Sequence, residues 1–116
     1  MILTKSGVKL KNITPALVWM IYRLEQFNRV MRGFPTNLTI TSINDSKHME
    51  GSRHYTDEAI DIRSHNFEDE AQKLNFILRF GDLLGPKFTI LLENSGKPNE
   101  HFHVQVKKGL TFNGVE

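Results

Sequence analysis

The chain contains no cysteine, and this absence limits the chemistry that it can support. Without a thiol among its 116 residues, neither a disulfide framework nor a thiolate metal site is possible, so any metal ligands must be His, Asp or Glu. No apolar run approaches the roughly 18 residues of a membrane span. The first residues also lack the apolar core of a secretory signal. We therefore expect no membrane partner and synthesis in a cytoplasm.

An excess of charge of one sign is also lacking. Fifteen Lys and Arg residues face thirteen Asp and Glu residues, which leaves a net charge of +2. Nucleic-acid recognition usually shows a clustered basic face, and only the pair Lys107 and Lys108 comes near to one, so we expect no nucleic-acid partner. Hydrophobic and charged contents of 39% and 24% are those of an ordinary globular protein. The length fits a single domain over residues 1–116, and we expect a monomer.

The hydrophobic periodicity predicts an α+β fold in which two helices pack on a small, mainly antiparallel sheet. A first helix begins after the cap Thr14 and runs to about Arg32, where Gly33 ends it. A second helix is capped by Asn66 and closes at Gly85. Its expected buried stripe consists of Phe67, Ala71, Leu74, Ile77, Leu78 and Leu84. The predicted strands are Leu38–Ser42, Ala59–Arg63, Phe88–Glu93 and His101–Val106.

Two stretches carry residues that suggest metal chemistry. Residues 52–61 include His54 and Asp61, and the chain later has His101 and His103 two positions apart. Two nitrogens and one oxygen are a common ligand set for catalytic zinc. In a strand, residues two apart share a face, so His101 and His103 lie side by side. His54 and Asp61 are seven apart and can converge only if His54 precedes the strand, in the loop that begins at residue 43.

These residues carry a resemblance to a known family. The pattern Ser-x-His-x-x-Gly-x-Ala-x-Asp followed by a late His-x-His resembles that of the zinc D-alanyl-D-alanine peptidases, which include carboxypeptidases and phage endolysins that cut peptidoglycan peptides. The matching positions are Ser52, His54, Ala59, Asp61, His101 and His103. The chain departs at Asp57, where the family has Gly, and we expect positive φ or a rebuilt loop there. The resemblance spans roughly residues 7–106.

The resemblance implies roles for these residues. It implies a Zn²⁺ ion held by His54, Asp61 and His103, with the metal site on the sheet. Family members take their general base either from the first His of His-x-His or from an acid three residues before the metal His, and these are His101 and Glu100 here. Strand parity puts His101 on the face of His103 and Glu100 on the reverse, which favours His101.

Further groups are candidates for supporting roles. Glu93, near the end of the paired strand, is a third candidate base or a partner that fixes an imidazole tautomer. Arg53 is a candidate cation near the scissile carbonyl, together with Lys47, although neither matches a family position. With His48 they offer positive charge to a substrate. We interpret His48 and His65 otherwise as polar loop residues.

The resemblance thus implies a zinc metallopeptidase that hydrolyses peptidoglycan stem peptides, either as an endolysin-like endopeptidase or as a D,D-carboxypeptidase. Such a bacteriophage-type hydrolase acts in cell wall degradation after release, or as part of a virion. One alternative is a catalytically silent domain of the same fold, serving as a virion or tail component or a binding module. Another is a cupin-like metal protein, which also uses His-x-His but normally carries an acid a few residues later; here Gln105 and Lys107 follow.

Overall fold

The fold is α+β, with two helices packed on one five-stranded sheet. The computed structural model describes residues 2–8, 13–43 and 58–114. Their elements, in chain order, are β1 (Ile2–Thr4), α1 (Pro15–Val30), β2 (Leu38–Ser42), β3 (Ala59–Arg63), α2 (Glu70–Leu84), β4 (Phe88–Glu93) and β5 (His101–Val106). Among these residues, no helix combines the length and apolar character needed to cross a membrane.

The sheet has the order β1-β2-β3-β5-β4 and is mainly antiparallel, as predicted. The strands β2 to β5 have the predicted bounds, because each is a β-rich run between turn residues. The short strand β1 was not predicted. It pairs with β2 in parallel, with Ile2 beside Leu38, and three residues are too few to show alternation. Its pairing depends on contacts with a distant part of the chain.

Helix α1 begins as predicted and ends earlier. The side chain of Thr14 accepts a hydrogen bond from the backbone N–H of Leu17 at 3.2 Å, and Pro15 occupies the first turn. The helix ends at Val30, because Met31 is already extended. Gly33, the expected stop, has a φ of +85° in the following turn. The buried face of α1 consists of Ala16, Leu17, Met20, Leu24 and Phe27.

Helix α2 starts at a different cap from the predicted one. Asp69 caps it, because its Oδ1 accepts the backbone N–H of Gln72 at 2.8 Å. Asn66, the predicted cap, instead donates to the carbonyl of Asn37 at 3.0 Å. Gly85 ends the helix as predicted, and its φ of +100° is a conformation that favours glycine.

The predicted buried stripe of α2 was wrong for Ala71, Leu74 and Leu78, which are exposed, whereas Phe67 and Leu84 are buried and Ile77 packs against the core. Phe76, Phe80 and Leu84 are the buried residues of this helix, whereas Leu74 and Leu78 are 61% and 65% exposed. Two sets of apolar residues on this helix fit the helical period. The set that contains Phe76 and Phe80 is buried, and the set that contains Leu74 and Leu78 is exposed. Phe76 contacts the rings of Phe27, Phe67, Phe80 and Phe102 at centroid distances of 4.7–5.3 Å. Aromatic rings bury more apolar area than leucine and gain from edge-to-face contacts.

The two faces of the sheet differ in chemistry. Ile60 and Ile62 of β3 are fully buried in the core, as are Phe102, Val104 and Val106 of β5. The alternate positions of β5 are His101, His103 and Gln105, so the predicted parity is confirmed. The sheet therefore separates an apolar core on one side from a row of polar side chains on the other.

The choice of buried stripe can be tested with two variants of α2. Phe76→Ala should lower the free energy of unfolding by about 3–5 kcal/mol, because it leaves a cavity in an aromatic cluster. Leu74→Ala, on the same helix, should change it by less than about 0.5 kcal/mol, because the leucine is exposed. Chemical denaturation of both variants is the measurement. Equal losses would contradict the observed orientation of the helix.

Candidate metal centre

The site is built by the pairing of β3 with β5. In their antiparallel register Asp61 lies opposite His103, and Arg63 lies opposite His101. Asp61 sits between Ile60 and Ile62, whose side chains enter the core, so its carboxylate projects from the other face. Asp61 and His103 are buried at 8% and 7% exposure. Strand register alone thus brings an acid and two imidazoles together.

The donor atoms of these three residues converge. The Oδ1 atom of Asp61 lies 2.9 Å from Nδ1 of His103 and 3.6 Å from Nε2 of His101. One donor atom from each residue lies within 4.8 Å of the other two. Nitrogen and carboxylate oxygen are donors that several divalent metals accept. The cluster of Asp61, His101 and His103 can therefore hold a metal ion.

The outward-facing ring nitrogens of His101 and His103 contact carbonyl oxygens. Nδ1 of His101 lies 2.9 Å from the carbonyl oxygen of Asn99, which can only accept a hydrogen bond. Nε2 of His103 lies 2.7 Å from Oε1 of Gln105. The amide nitrogen of Gln105 donates to the carbonyl of Val106, which fixes the orientation of that amide. A neutral ring that keeps its proton on the outward nitrogen donates to this oxygen and leaves its inward nitrogen available to a metal.

The inward nitrogens face carboxylate oxygens, Nε2 of His101 at 2.8 Å from Glu93 and Nδ1 of His103 at 2.9 Å from Asp61. Either a ring proton or a metal ion at this place would balance the negative charge of the carboxylates. Metal-ligating histidines typically donate their other ring N–H to a carbonyl, carboxylate or water, and His101 and His103 each direct that nitrogen at a neutral carbonyl oxygen. These outward contacts are of the kind that metal-bound imidazoles make.

Burial and charge act in opposite directions on His103. Burial lowers the pKa of its imidazole, whereas hydrogen bonds to Asp61 and Gln105 and the negative charges of Asp61 and Glu93 raise it. The net effect is a pKa above the ordinary value for histidine. The protonated ring cannot bind metal, so proton and metal compete at this position.

Glu93 reaches the same cluster from β4. It lies opposite His101 in the β4–β5 register, and its Oε1 is 2.8 Å from Nε2 of His101 and 4.0 Å from Nδ1 of His103. Its side chain is 43% exposed and that of His101 is 22% exposed. Glu93 is therefore a carboxylate at the accessible side of the site.

Glu100, one of the two expected bases, has its carboxylate engaged elsewhere. It is 4% exposed. Its Oε1 accepts from the Ser64 hydroxyl at 2.5 Å and pairs with the Lys73 ammonium at 2.8 Å, while its Oε2 accepts from the backbone N–H of Gly96 at 2.9 Å. These contacts, led by the Gly96 N–H, lower the pKa of Glu100 from 4.5 to about 2. So weak a base is poorly matched to proton transfer near neutral pH.

Sequence reasoning missed the partners of Glu100. Lys73 lies three residues after Glu70, a spacing that suggests only a surface pair on a helix. Its ammonium does contact Glu70 at 3.0 Å, but it also reaches Glu100, and these hydrogen bonds raise its pKa above 10.5. Ser64 follows β3 with no sequence signal beyond its position. Only the folded arrangement brings the three side chains together.

Several predicted site residues lie outside the described part of the chain. These are His54, Arg53, Lys47, His48, Ser52 and Asp57, so the expected His54 ligand and the backbone at Asp57 stay predictions. Within the described residues, Asp61 and His103 meet as expected. His101, expected as a base, has its Nε2 within the donor group. His65 is exposed in a loop, with Nε2 2.7 Å from the carbonyl of Pro98.

The cluster gives the chain a compact group of two nitrogens and one oxygen on an otherwise ordinary sheet. Comparisons with protein-family models, curated proteins and solved structures found no match. Chemically, the cluster can bind a divalent cation and keep it within reach of a half-exposed carboxylate, Glu93. This is the combination that metal-assisted hydrolysis uses.

The buried carboxylate of Glu100 generates a pH-dependent prediction. Because its pKa is lower when folded than the usual 4.5, it contributes stability that is present above about pH 4.5 and is lost as the pH falls towards 2. Glu100→Gln should lower the free energy of unfolding at pH 7 by about 2 kcal/mol, since Lys73 loses its buried partner. The difference in the free energy of unfolding between wild type and variant should become smaller as the pH falls from 4.5 to 2.

Denaturation curves across this pH range are the measurement. Glu70→Gln is the matched control, because Glu70 contacts the same ammonium from an exposed position and such pairs contribute little. A gap between wild type and Glu100→Gln that stays constant from pH 7 to 2 would show that the ionised carboxylate is not what stabilises the fold.

Proposed function

We propose that this chain is a zinc-dependent peptidase that hydrolyses peptidoglycan stem peptides. The observation that supports it best is the convergence of Asp61, His101 and His103 on one face of the sheet. These residues occupy the positions at which the sequence resembles the zinc D-alanyl-D-alanine peptidases. The resemblance supplies the substrate class, and the geometry supports the metal chemistry.

The donor set favours zinc over the harder cations. Two imidazole nitrogens and one carboxylate oxygen match catalytic zinc sites with three protein ligands, whereas calcium and magnesium prefer all-oxygen sites. The donors come from paired strands, which hold them in fixed register. We assign Oδ1 of Asp61, Nε2 of His101 and Nδ1 of His103 as the ligands. His54 is a further ligand in the arrangement that the resemblance implies.

Hydrolysis also needs a group that accepts a proton. When bound, zinc lowers the pKa of a water ligand and polarises a carbonyl. Glu100 is occupied by Lys73 and Ser64, so its contacts do not support a role as base. Glu93 has an oxygen inside the site and a side chain that is 43% exposed, so it can reach both the donor group and an incoming substrate. We therefore assign the proton acceptor to Glu93.

The proposed substrate determines where the protein acts. Peptidoglycan lies outside the cytoplasm, so the proposal requires release on lysis or a place in a virion. The phage-type resemblance favours an endopeptidase, with D,D-carboxypeptidase activity as the other reaction of the family. Binding should take place from the exposed side of His101 and Glu93, since the opposite face of the sheet is core.

Metal content and turnover of matched variants test this proposal. His103→Ala and His101→Ala should each lose zinc and cleavage of defined muropeptides, because each removes a donor nitrogen. His65→Ala should retain both, because this exposed histidine contacts the Pro98 carbonyl and is not one of the three clustered donors. Elemental analysis after purification without chelator gives zinc content, and mass spectrometry of the muropeptides gives turnover.

The outcomes separate the alternatives. Zinc retained in His101→Ala together with lost turnover would make His101 the base, as strand parity predicted. Full zinc occupancy in His103→Ala would contradict the ligand assignment. Intact muropeptides from several wall types, with full zinc in the wild type, would favour a silent structural domain.

A further inference from the structure

We propose that the buried ion pair between Lys73 and Glu100 is a positioning device that orients the His101 ring for metal binding. The inference rests on the metal site of the proposed function and concerns residues outside that site. Glu100 precedes His101, yet its side chain points to the reverse of the sheet, towards helix α2. The backbone between them thus carries a link from a helix to a metal ligand.

The first step is how firmly Glu100 is held. Both carboxylate oxygens are in use, and the contacts come from three separate parts of the chain: Ser64 after β3, Lys73 on α2 and Gly96 in the connector between β4 and β5. The Ser64 hydroxyl also lies 3.1 Å from the backbone carbonyl of Glu100. The side chain of Glu100 is 3% exposed and that of Lys73 is 14% exposed. Ser64 therefore contacts both the side chain and the backbone of Glu100.

The second step leads from Glu100 to His101. Two backbone hydrogen bonds fold the connector into consecutive turns. The N–H of Glu100 donates to the carbonyl of Lys97, and the N–H of Lys97 donates to the carbonyl of Asn94. This fold places the carbonyl of Asn99 against Nδ1 of His101 at 2.9 Å. This contact orients the ring, so that its Nε2 points to Oε1 of Glu93 at 2.8 Å and to Oδ1 of Asp61 at 3.6 Å. A ring proton on Nδ1 would leave Nε2 free to bind a metal.

The third step concerns what the ion pair of Lys73 and Glu100 provides that an apolar pair would not. A buried ion pair often adds little net stability over an apolar pair of similar volume, because both ions lose water. A carboxylate with three fixed donors, however, defines one geometry of the connector, whereas apolar contacts tolerate several. Positioning a metal ligand would explain why two ions are desolvated here, because such a ligand must be held in its productive orientation.

Zinc affinity is the first test. Glu100→Gln and Lys73→Met should each weaken zinc binding by about 10–100-fold, the range for partners that orient ligands, although neither residue supplies a metal ligand. Met20→Ala is the control for a general loss of stability, because Met20 is fully buried in α1; its affinity should stay within about threefold of wild type. Competition with a chromophoric chelator measures affinity for Zn²⁺ in all four proteins.

The second test needs no metal. The Nδ1–H of His101 should give a slowly exchanging imidazole signal in nitrogen-15 NMR of the zinc-free protein. The signal should be lost in Glu100→Gln and in Lys73→Met and kept in Met20→Ala. Variants that are less stable but keep both the signal and wild-type zinc affinity would overturn the inference and leave the ion pair a purely structural contact.

The two tests also separate this inference from the proposed function. If wild-type protein binds zinc without cleaving muropeptides, the peptidase proposal fails and the affinity test still applies. If wild-type protein binds no zinc, the peptidase proposal fails. The NMR signal then shows whether the ion pair orients His101; its retention in both variants would overturn this inference as well.

Discussion

The site depends on one constraint, the antiparallel register of β3 and β5. Side chains in a strand alternate between faces, so the pairing that buries Ile60 and Ile62 against the core also sends Asp61 to the opposite face, beside His103. A slip of one residue would turn the carboxylate into the core and the isoleucines out. Core packing and the convergence of the donors are therefore satisfied by the same register, and the core selects the site geometry.

Much of the fold could be predicted from the sequence because the signals were local. Thr14 and Pro15 mark a helix start, Gly85 a helix end, and the alternation of β5 separates its histidines from Phe102 and Val104. The failures came from choices that need the tertiary structure. Two stripes on α2 fit the helical period, and only packing against Phe27 and Phe102 selects Phe76 over Leu74. Likewise, nothing near β1 in the chain shows that it will pair with β2.

The candidate site was predicted unevenly for the same reason. Asp61, His101 and His103 carry their own pattern, so their meeting could be expected. Glu93 could be placed near them by hairpin pairing, but its contact with His101 depends on register. Glu100 was correctly placed on the reverse face by parity. Its partner Lys73 is 27 positions away on α2, and a sequence offers no rule by which an isolated lysine identifies a distant buried acid.

The two ionic groups on opposite sides of β5 differ in how their charges are balanced. Glu100 has a lysine, a hydroxyl and a backbone N–H, so its negative charge is compensated by the chain alone. Asp61 and Glu93 instead face the imidazoles of His103 and His101, whose positive charge depends on protonation. A metal ion held by Asp61, His101 and His103 would supply positive charge to the same carboxylates without a proton. It would then stabilise the folded sheet as well as supply chemistry.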